Sequence, residues 1–142
     1  MKKSIISMIA FLILLFSVSS CMAFQSTKAA VIGGIRDGAA IGLMLETYIT
    51  DTTKLKFGLE ANTSDTPGII YVGGKWFLTD INNRFPMFFS VGGVGYLGNN
   101  STIGPYVSLI LERLFGVVPL FFELGVDVVK TGRLQFQAGY FF

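Results

Sequence analysis

The amino-acid sequence predicts an all-β fold: a closed, antiparallel, up-and-down eight-stranded transmembrane β-barrel that follows an N-terminal signal peptide. Three observations predict it. Of the 142 residues, 51% are hydrophobic and only 14% are charged, whereas an ordinary soluble domain carries roughly 25% charged residues. Beyond the N-terminal segment, apolar side chains recur at every second position, which is the period of a β-strand. Seven turn-forming clusters divide this part of the chain and leave eight strands.

The N-terminal segment MKKSIISMIAFLILLFSVSSCMAFQ has the three parts of an export signal. Lys2 and Lys3 form the basic part, residues 5–16 form the apolar part, and small residues follow. The apolar part is short for a helix that must cross a hydrocarbon core of about 30 Å. We therefore expect this segment to direct the rest of the chain out of the cytoplasm of a bacterium.

Two cleavage sites compete within this segment. The residues CMA fit ordinary signal peptidase, which gives a signal peptide of residues 1–23 and a barrel domain of residues 24–142. The residues VSSC resemble the lipobox of bacterial lipoproteins, which gives a signal of residues 1–20 and makes Cys21 the lipidated first residue of the mature chain. Both alternatives predict export.

The remainder of the chain is cut by the turn clusters RDG, TDTT, SDTPG, TDINNR, GNNS, LFGVV and KTG. The strands are placed at residues 28–35, 39–49, 54–63, 69–78, 85–97, 102–113, 118–129 and 133–142. Most of them run about 9 to 12 residues, which is about the length of a tilted strand that crosses a bilayer. The first is short, and an alternative is that residues 28–35 form a lead-in segment.

The alternation of side chains is clear in five of the strands. In the third strand, for example, Leu55, Phe57 and Leu59 share one face, and Lys56 and Glu60 share the other. A soluble sandwich would bury the apolar face, whereas a membrane barrel turns it towards lipid. The polar faces carry many glycines and few charges, which is unlike a solvated surface, and the strand number is even. Both features favour the membrane barrel.

The chain ends in LQFQAGYFF, in which every second residue is apolar up to a terminal aromatic. The alternating positions are Leu134, Phe136, Ala138, Tyr140 and Phe142. This pattern resembles the C-terminal signal of bacterial outer-membrane β-barrels, and the chain as a whole is similar to the small eight-stranded barrels typified by the membrane domain of OmpA and by OmpX. The resemblance implies an outer-membrane location, contact with outer-membrane lipid, and recognition by the barrel-assembly machinery. Those proteins usually have long loops on alternate turns, whereas every turn here is short.

The faces opposite the apolar ones carry nine ionisable side chains. They are Glu46, Lys54, Lys56, Glu60, Lys75, Glu112, Glu123, Asp127 and Arg133, with Gln135 and Gln137 beside them. An eight-stranded barrel has room only for its own side chains, and buried ions need partners. We therefore predict a polar network that plugs the barrel interior, with a narrow proton or ion path as the functional alternative.

A set of aromatic residues falls mostly near the ends of the predicted strands. The set is Tyr71, Trp76, Phe77, Phe85, Phe88, Phe89, Phe115 and Phe121. Their positions predict an aromatic girdle at the depth of the lipid headgroups.

The composition argues against catalysis. The sequence contains no histidine and one cysteine, which removes the commonest general base and transition-metal ligand and any intrachain disulfide. The segment GVGYLG matches GxGxxG, but Asn99, Asn100 and Ser101 follow it, where a dinucleotide site needs a helix. We predict no enzyme activity and no catalytic, cofactor-binding or metal site. The net charge of +2 is too small to indicate a nucleic-acid partner.

These features together predict a non-enzymatic outer-membrane protein with a structural or accessory role in the envelope, whose protein partner is unknown. One alternative is a narrow passive channel for small solutes or ions, which predicts a conductance that is lost when Lys56 or Glu123 is exchanged. Another is a soluble periplasmic β-barrel or lipoprotein that binds an apolar ligand, which predicts that the Leu and Phe faces point inward.

Overall fold

The computed structural model describes residues 26–142, which form one closed sheet of eight antiparallel strands. The strands are β1 (Lys28–Arg36), β2 (Ala39–Tyr48), β3 (Thr53–Asn62), β4 (Gly68–Ile81), β5 (Phe85–Leu97), β6 (Thr102–Glu112), β7 (Leu120–Val129) and β8 (Thr131–Phe141). Each pairs with its neighbours in sequence, and β1 closes the barrel against β8. The predicted up-and-down barrel is thus confirmed. The predicted signal peptide, with Cys21, lies outside the described residues.

The first strand is part of the barrel. β1 pairs with β2 from Lys28 to Ile35 and with β8 from Ala30 to Arg36. The lead-in alternative is therefore wrong, and the strand extends one residue further than predicted. In the described part of the chain the only helical element is a short 3₁₀ turn at Leu114–Gly116, and no helix there is long and apolar enough to cross a membrane.

The apolar faces of the strands lie on the outside of the barrel. Leu43, Leu124 and Phe136 are each at least half exposed, although they sit in the middle of their strands. Within the described strands, the outward positions carry no Asp, Glu, Lys or Arg. The charged side chains instead alternate with them on the inside, so the polarity of this barrel is the reverse of that in a water-soluble sheet.

Inward-facing glycines make room for large side chains in the lumen. A Cβ atom on Gly58 would lie 2.1 Å from Cζ of Tyr71, and one on Gly139 would lie 2.2 Å from Cζ of Phe121. Tyr71 and Phe121 are both buried. The rings therefore occupy space that any other residue at these glycine positions would fill.

Gly58→Ala is expected to destabilise the barrel by about 1–3 kcal/mol, the usual cost of overpacking a core, because the added methyl group collides with the Tyr71 ring. The matched control is Gly93→Ala, since a Cβ atom there meets nothing within 4 Å. Urea unfolding in lipid vesicles measures both. Equal midpoints for the two variants would show that the contact between Gly58 and Tyr71 is not tight.

One hairpin projects beyond the rest of the barrel. It lies at the end of the barrel where β1 begins and β8 ends. β3 stops pairing with β4 at Trp76, and β6 begins to pair with β5 only at Met87. Residues 77–86, which we call the projecting hairpin, pair only within the β4–β5 ladder and with no third strand. Asn82 and Asn83 both have positive φ angles, and the Arg84 N–H donates to the Ile81 carbonyl over 3.1 Å, so the hairpin closes in a tight turn.

Candidate functional site in the barrel interior

The interior ions form a distal cluster, a central pair and a terminal cluster along the lumen. The distal cluster, at the end of the barrel opposite to the first residue of β1 and the last residue of β8, consists of Arg36, Glu60 and Asp127 with Tyr96 and Gln137. The central pair is Lys56 and Glu123. The terminal cluster, at the opposite end, consists of Glu46, Lys54, Lys75 and Glu112. Each group is assembled from several strands because only alternate residues of each strand face inward.

Arg36 is the centre of the distal cluster. Its Nε and Nη2 atoms donate to both carboxylate oxygens of Asp127 over 2.8 and 3.0 Å, and its Nη1 donates to Glu60 over 2.9 Å. Tyr96 donates to Asp127 and Gln137 donates to Glu60, each over 2.5 Å. The three charged side chains of the cluster are completely buried. The planar guanidinium is thus held by two carboxylates in the fork geometry that Arg favours.

Arg36 was missed by the sequence analysis, which assigned it to the turn cluster RDG. The alternation of β1 identifies it. Ala30 and Ile32 are buried inside the barrel, and Arg36 lies an even number of positions further along, so it falls on the same inward face. A turn-forming neighbourhood therefore concealed the most highly connected ion in the lumen.

The central pair crosses the barrel. Lys56 on β3 donates to Glu123 on β7 over 2.5 Å, and Ser108 donates to the same carboxylate over 2.6 Å. In a closed sheet of eight strands, β3 and β7 lie on opposite walls. Tyr71 and Tyr106 flank the Lys56 ammonium, with their ring centroids 5.2 and 5.4 Å away. The pair therefore blocks the middle of the lumen.

The terminal cluster pairs two lysines with two glutamates. Glu46 accepts from Lys54 over 2.8 Å and from Lys75 over 2.6 Å, and Lys75 also pairs with Glu112. The Phe88 ring lies 4.4 Å from the Lys75 ammonium. Glu46, Lys54 and Glu112 of this cluster line an open cavity of about 510 Å³ at the end of the barrel. Only this group of interior ions borders the cavity among the described residues.

The nine predicted interior residues are distributed over these groups with one exception. Arg133 lies at the rim beside the distal cluster: it pairs with Asp37, its guanidinium lies 4.6 Å from the Tyr96 ring, and its side chain is 24% exposed. Gln135 and Gln137 are buried and hydrogen-bonded to each other over 2.8 Å. In the described barrel the interior thus holds four cations, including Arg36, against five carboxylates.

The predicted aromatic girdle is wrong for four of its members: three are buried inside the barrel, and Phe77 pairs with Phe88 and lines the cavity at the end of the barrel. Tyr71, Phe88 and Phe121 are buried inside the barrel. They lie an even number of positions from inward-facing ions of the same or a neighbouring strand, such as Lys75 and Glu123. The side of the strand on which a residue lies therefore decides its location, and its distance from the strand end does not. Trp76, Phe77 and Phe115 are exposed, and Phe85 and Phe89 are half-buried.

Side chains fill the lumen of the barrel, and ion pairs between them connect its strands. Each carboxylate of the three groups has a cationic partner within 3 Å. In residues 26–142 no group of side chains could hold a metal ion. The ion pairs tie opposite walls together and occupy the space that a pore would need.

The barrel is similar in fold to a solved structure, the crystal structure of the N-terminal β-barrel domain of Pseudomonas aeruginosa OprF. The TM-score is 0.60 and the sequence identity is 11%, over 82% of this chain and 96% of that domain. The likeness shows a shared eight-stranded barrel fold. No protein-family model and no curated protein matches the chain.

Proposed function

We propose that this protein is an outer-membrane β-barrel of a bacterium, with a structural or accessory role in the envelope and without catalytic activity. One observation carries the proposal: the outer face of the described strands is largely apolar and free of formal charge, while the ions are paired inside. A soluble monomer rarely exposes an apolar patch of more than a few hundred Å². A surrounding bilayer is the solvent that this surface fits.

The alternative of a soluble barrel that binds an apolar ligand is not favoured. It predicted that the Leu and Phe faces point inward, but Leu124 and Phe136 are 50% and 53% exposed on the outside. The lumen that such a ligand would need is filled by ion pairs instead.

The C-terminal strand supports a role for the barrel-assembly machinery in folding. On β8, the side chains of Leu134, Phe136 and Tyr140 face outward, each more than half exposed, and Phe142 beyond the strand is also exposed. A factor that recognises this strand before closure would contact the same apolar face that lipid covers afterwards. The partner proposed here is therefore transient, and outer-membrane lipid is the lasting one.

The proposal is tested by refolding the mature chain into detergent or lipid and comparing gel migration before and after boiling. A closed membrane barrel migrates differently when it is folded. Planar-bilayer recording tests the lumen: a plugged barrel gives no conductance, whereas the narrow-channel alternative gives a current that changes when Lys56 or Glu123 is exchanged. A chain that is monodisperse and folded in buffer without detergent would contradict the membrane location.

Leu124→Arg is expected to destabilise the membrane-inserted barrel by about 2–4 kcal/mol, the cost of a cation on the lipid face near the bilayer midplane. Leu124 lies mid-strand on β7, between Leu109 of β6 and Phe136 of β8. The matched control is Ile103→Arg near the start of β6, where the same charge is expected to cost about 0–1 kcal/mol. Urea unfolding from vesicles gives both values. If Leu124→Arg were neutral, this face would be in water.

A further inference from the structure

The projecting hairpin continues the outward apolar surface beyond the rim of the barrel. By the alternation of β5, Met87 and Phe85 share the outward side with Phe89, whereas Pro86 and Phe88 line the cavity. Across the hairpin, Thr79 pairs with Met87 and Ile81 pairs with Phe85. The apolar band is therefore taller on the β4–β5 side than elsewhere. Between the pairs Trp76–Phe89 and Ile81–Phe85 the extra length is about 13 Å, which is four steps along β5 at roughly 3.3 Å per residue.

The edges of the hairpin are unsuited to pairing with another strand. On the β4 side a register shift between Phe77 and Thr79 leaves Leu78 as a bulge, and bulges disrupt the ladder of an edge. On the β5 side Pro86 lacks a backbone N–H to donate. An added peptide strand, or the edge of a second barrel, would meet these interruptions on either side. Contact through the apolar side chains remains.

We propose that the projecting hairpin lies in the boundary between headgroups and acyl chains of one leaflet, and that it makes the barrel sit tilted or the leaflet thicken on that side. The occupant is lipid because this surface is continuous with the lipid-facing band. The exposed Ile81 and half-buried Phe85 present the apolar side, and Arg84 is exposed at the tip, where its side chain reaches phosphate groups. Asp80 pairs with Pro86 on the opposite side of the hairpin. A band of uneven height is accommodated by tilt or by local thickening.

This inference rests on the proposed membrane location, and the test separates the two. Trp76 is the single tryptophan of the chain and lies on the outward band just before the hairpin. In phosphatidylcholine vesicles that contain spin-labelled phosphatidylcholine, quenching of native Trp76 reports whether the barrel is in lipid at all. In a Trp76→Phe background, Phe85→Trp and Ile81→Trp report the hairpin. The matched control is Thr52→Trp in the exposed β2–β3 turn at the same end of the barrel.

The expected result is lipid quenching of Phe85→Trp comparable with that of native Trp76, and several-fold weaker for Thr52→Trp, with acrylamide giving the reverse order. If Trp76 is quenched by lipid but both hairpin reporters respond only to acrylamide, the hairpin is in water and the inference is overturned alone. If the hairpin reporters are shielded from both quenchers and become accessible on dilution of the protein, a second copy covers the hairpin, and the inference is overturned. An unquenched Trp76 overturns the membrane location itself. Ile81→Trp decides the matter if Phe85→Trp does not fold.

Discussion

Arg36→Met is expected to cause the largest loss of stability of any single substitution in the lumen. Breaking one buried ion pair costs about 3–5 kcal/mol because an uncompensated charge is left behind, and here two carboxylates, Glu60 and Asp127, lose the same partner. Methionine keeps a similar length, so the loss reports the charge and not a cavity. The measurement is the free energy of unfolding in urea from lipid vesicles, followed by circular dichroism.

The matched control for this substitution is Arg133→Met. Arg133 makes an ion pair with Asp37 at the distal rim, where both side chains are partly exposed. Pairs in contact with water contribute about 0–1 kcal/mol, so the control is expected to be nearly neutral. Arg36→Lys is expected to be intermediate, because an ammonium cannot reproduce the two-pronged bond to Asp127. Equal losses for Arg36→Met and Arg133→Met would show that the distal cluster is hydrated.

Lys56→Met is expected to lower the stability by about 3–5 kcal/mol, whereas the double substitution Lys56→Met with Glu123→Met is expected to restore most of it. The single substitution leaves a buried carboxylate, with only the Ser108 hydroxyl to solvate it. The double substitution replaces both ions with apolar groups of similar volume, which is often neutral or stabilising. A double-mutant cycle on unfolding free energies measures the coupling between the two residues.

The outcome also bears on the plugged lumen. If the double variant lost as much unfolding free energy as the two single variants together, the two side chains would not be paired across the barrel. Bilayer recordings of the same variants are expected to stay silent, because methionines fill the space that the ions occupied. A current that appears only in the double variant would show that charge, and not volume, keeps the lumen closed.

The turn clusters and the pattern of alternation were sufficient to predict the eight strands and, in the five strands with clear alternation, which side chains share a face. The alternation was sufficient because the outward face of a strand is apolar and the inward face is polar, and a register shift of one residue would exchange the two faces. It was insufficient for the partners of each ion. Lys56 meets Glu123 because β3 and β7 are opposite walls of an eight-stranded ring, and that geometry depends on the stagger of the closed sheet, which single strands do not encode.

The predicted strand boundaries were wrong where polar residues were assigned to turns because of their local preference. Thr79 and Asp80 were assigned to a turn, yet they pair with Met87 and Pro86 and lengthen β4 to Ile81. Arg36 was lost for the same reason at the end of β1. In both places cross-strand pairing overrode the preference of the residues for a turn. The projecting hairpin and the distal cluster are the two features that this error concealed.

The cross-barrel ion pairs have a consequence for how the chain enters its membrane. Lys56 and Glu123 are 67 positions apart, and Arg36 and Asp127 are 91 apart, so neither pair exists in any single hairpin. A hairpin that moved into hydrocarbon alone would carry bare ions and unpaired backbone with it. On the proposed membrane location, we therefore expect insertion and closure of the barrel to be coupled, so that these ions meet their partners as β1 pairs with β8.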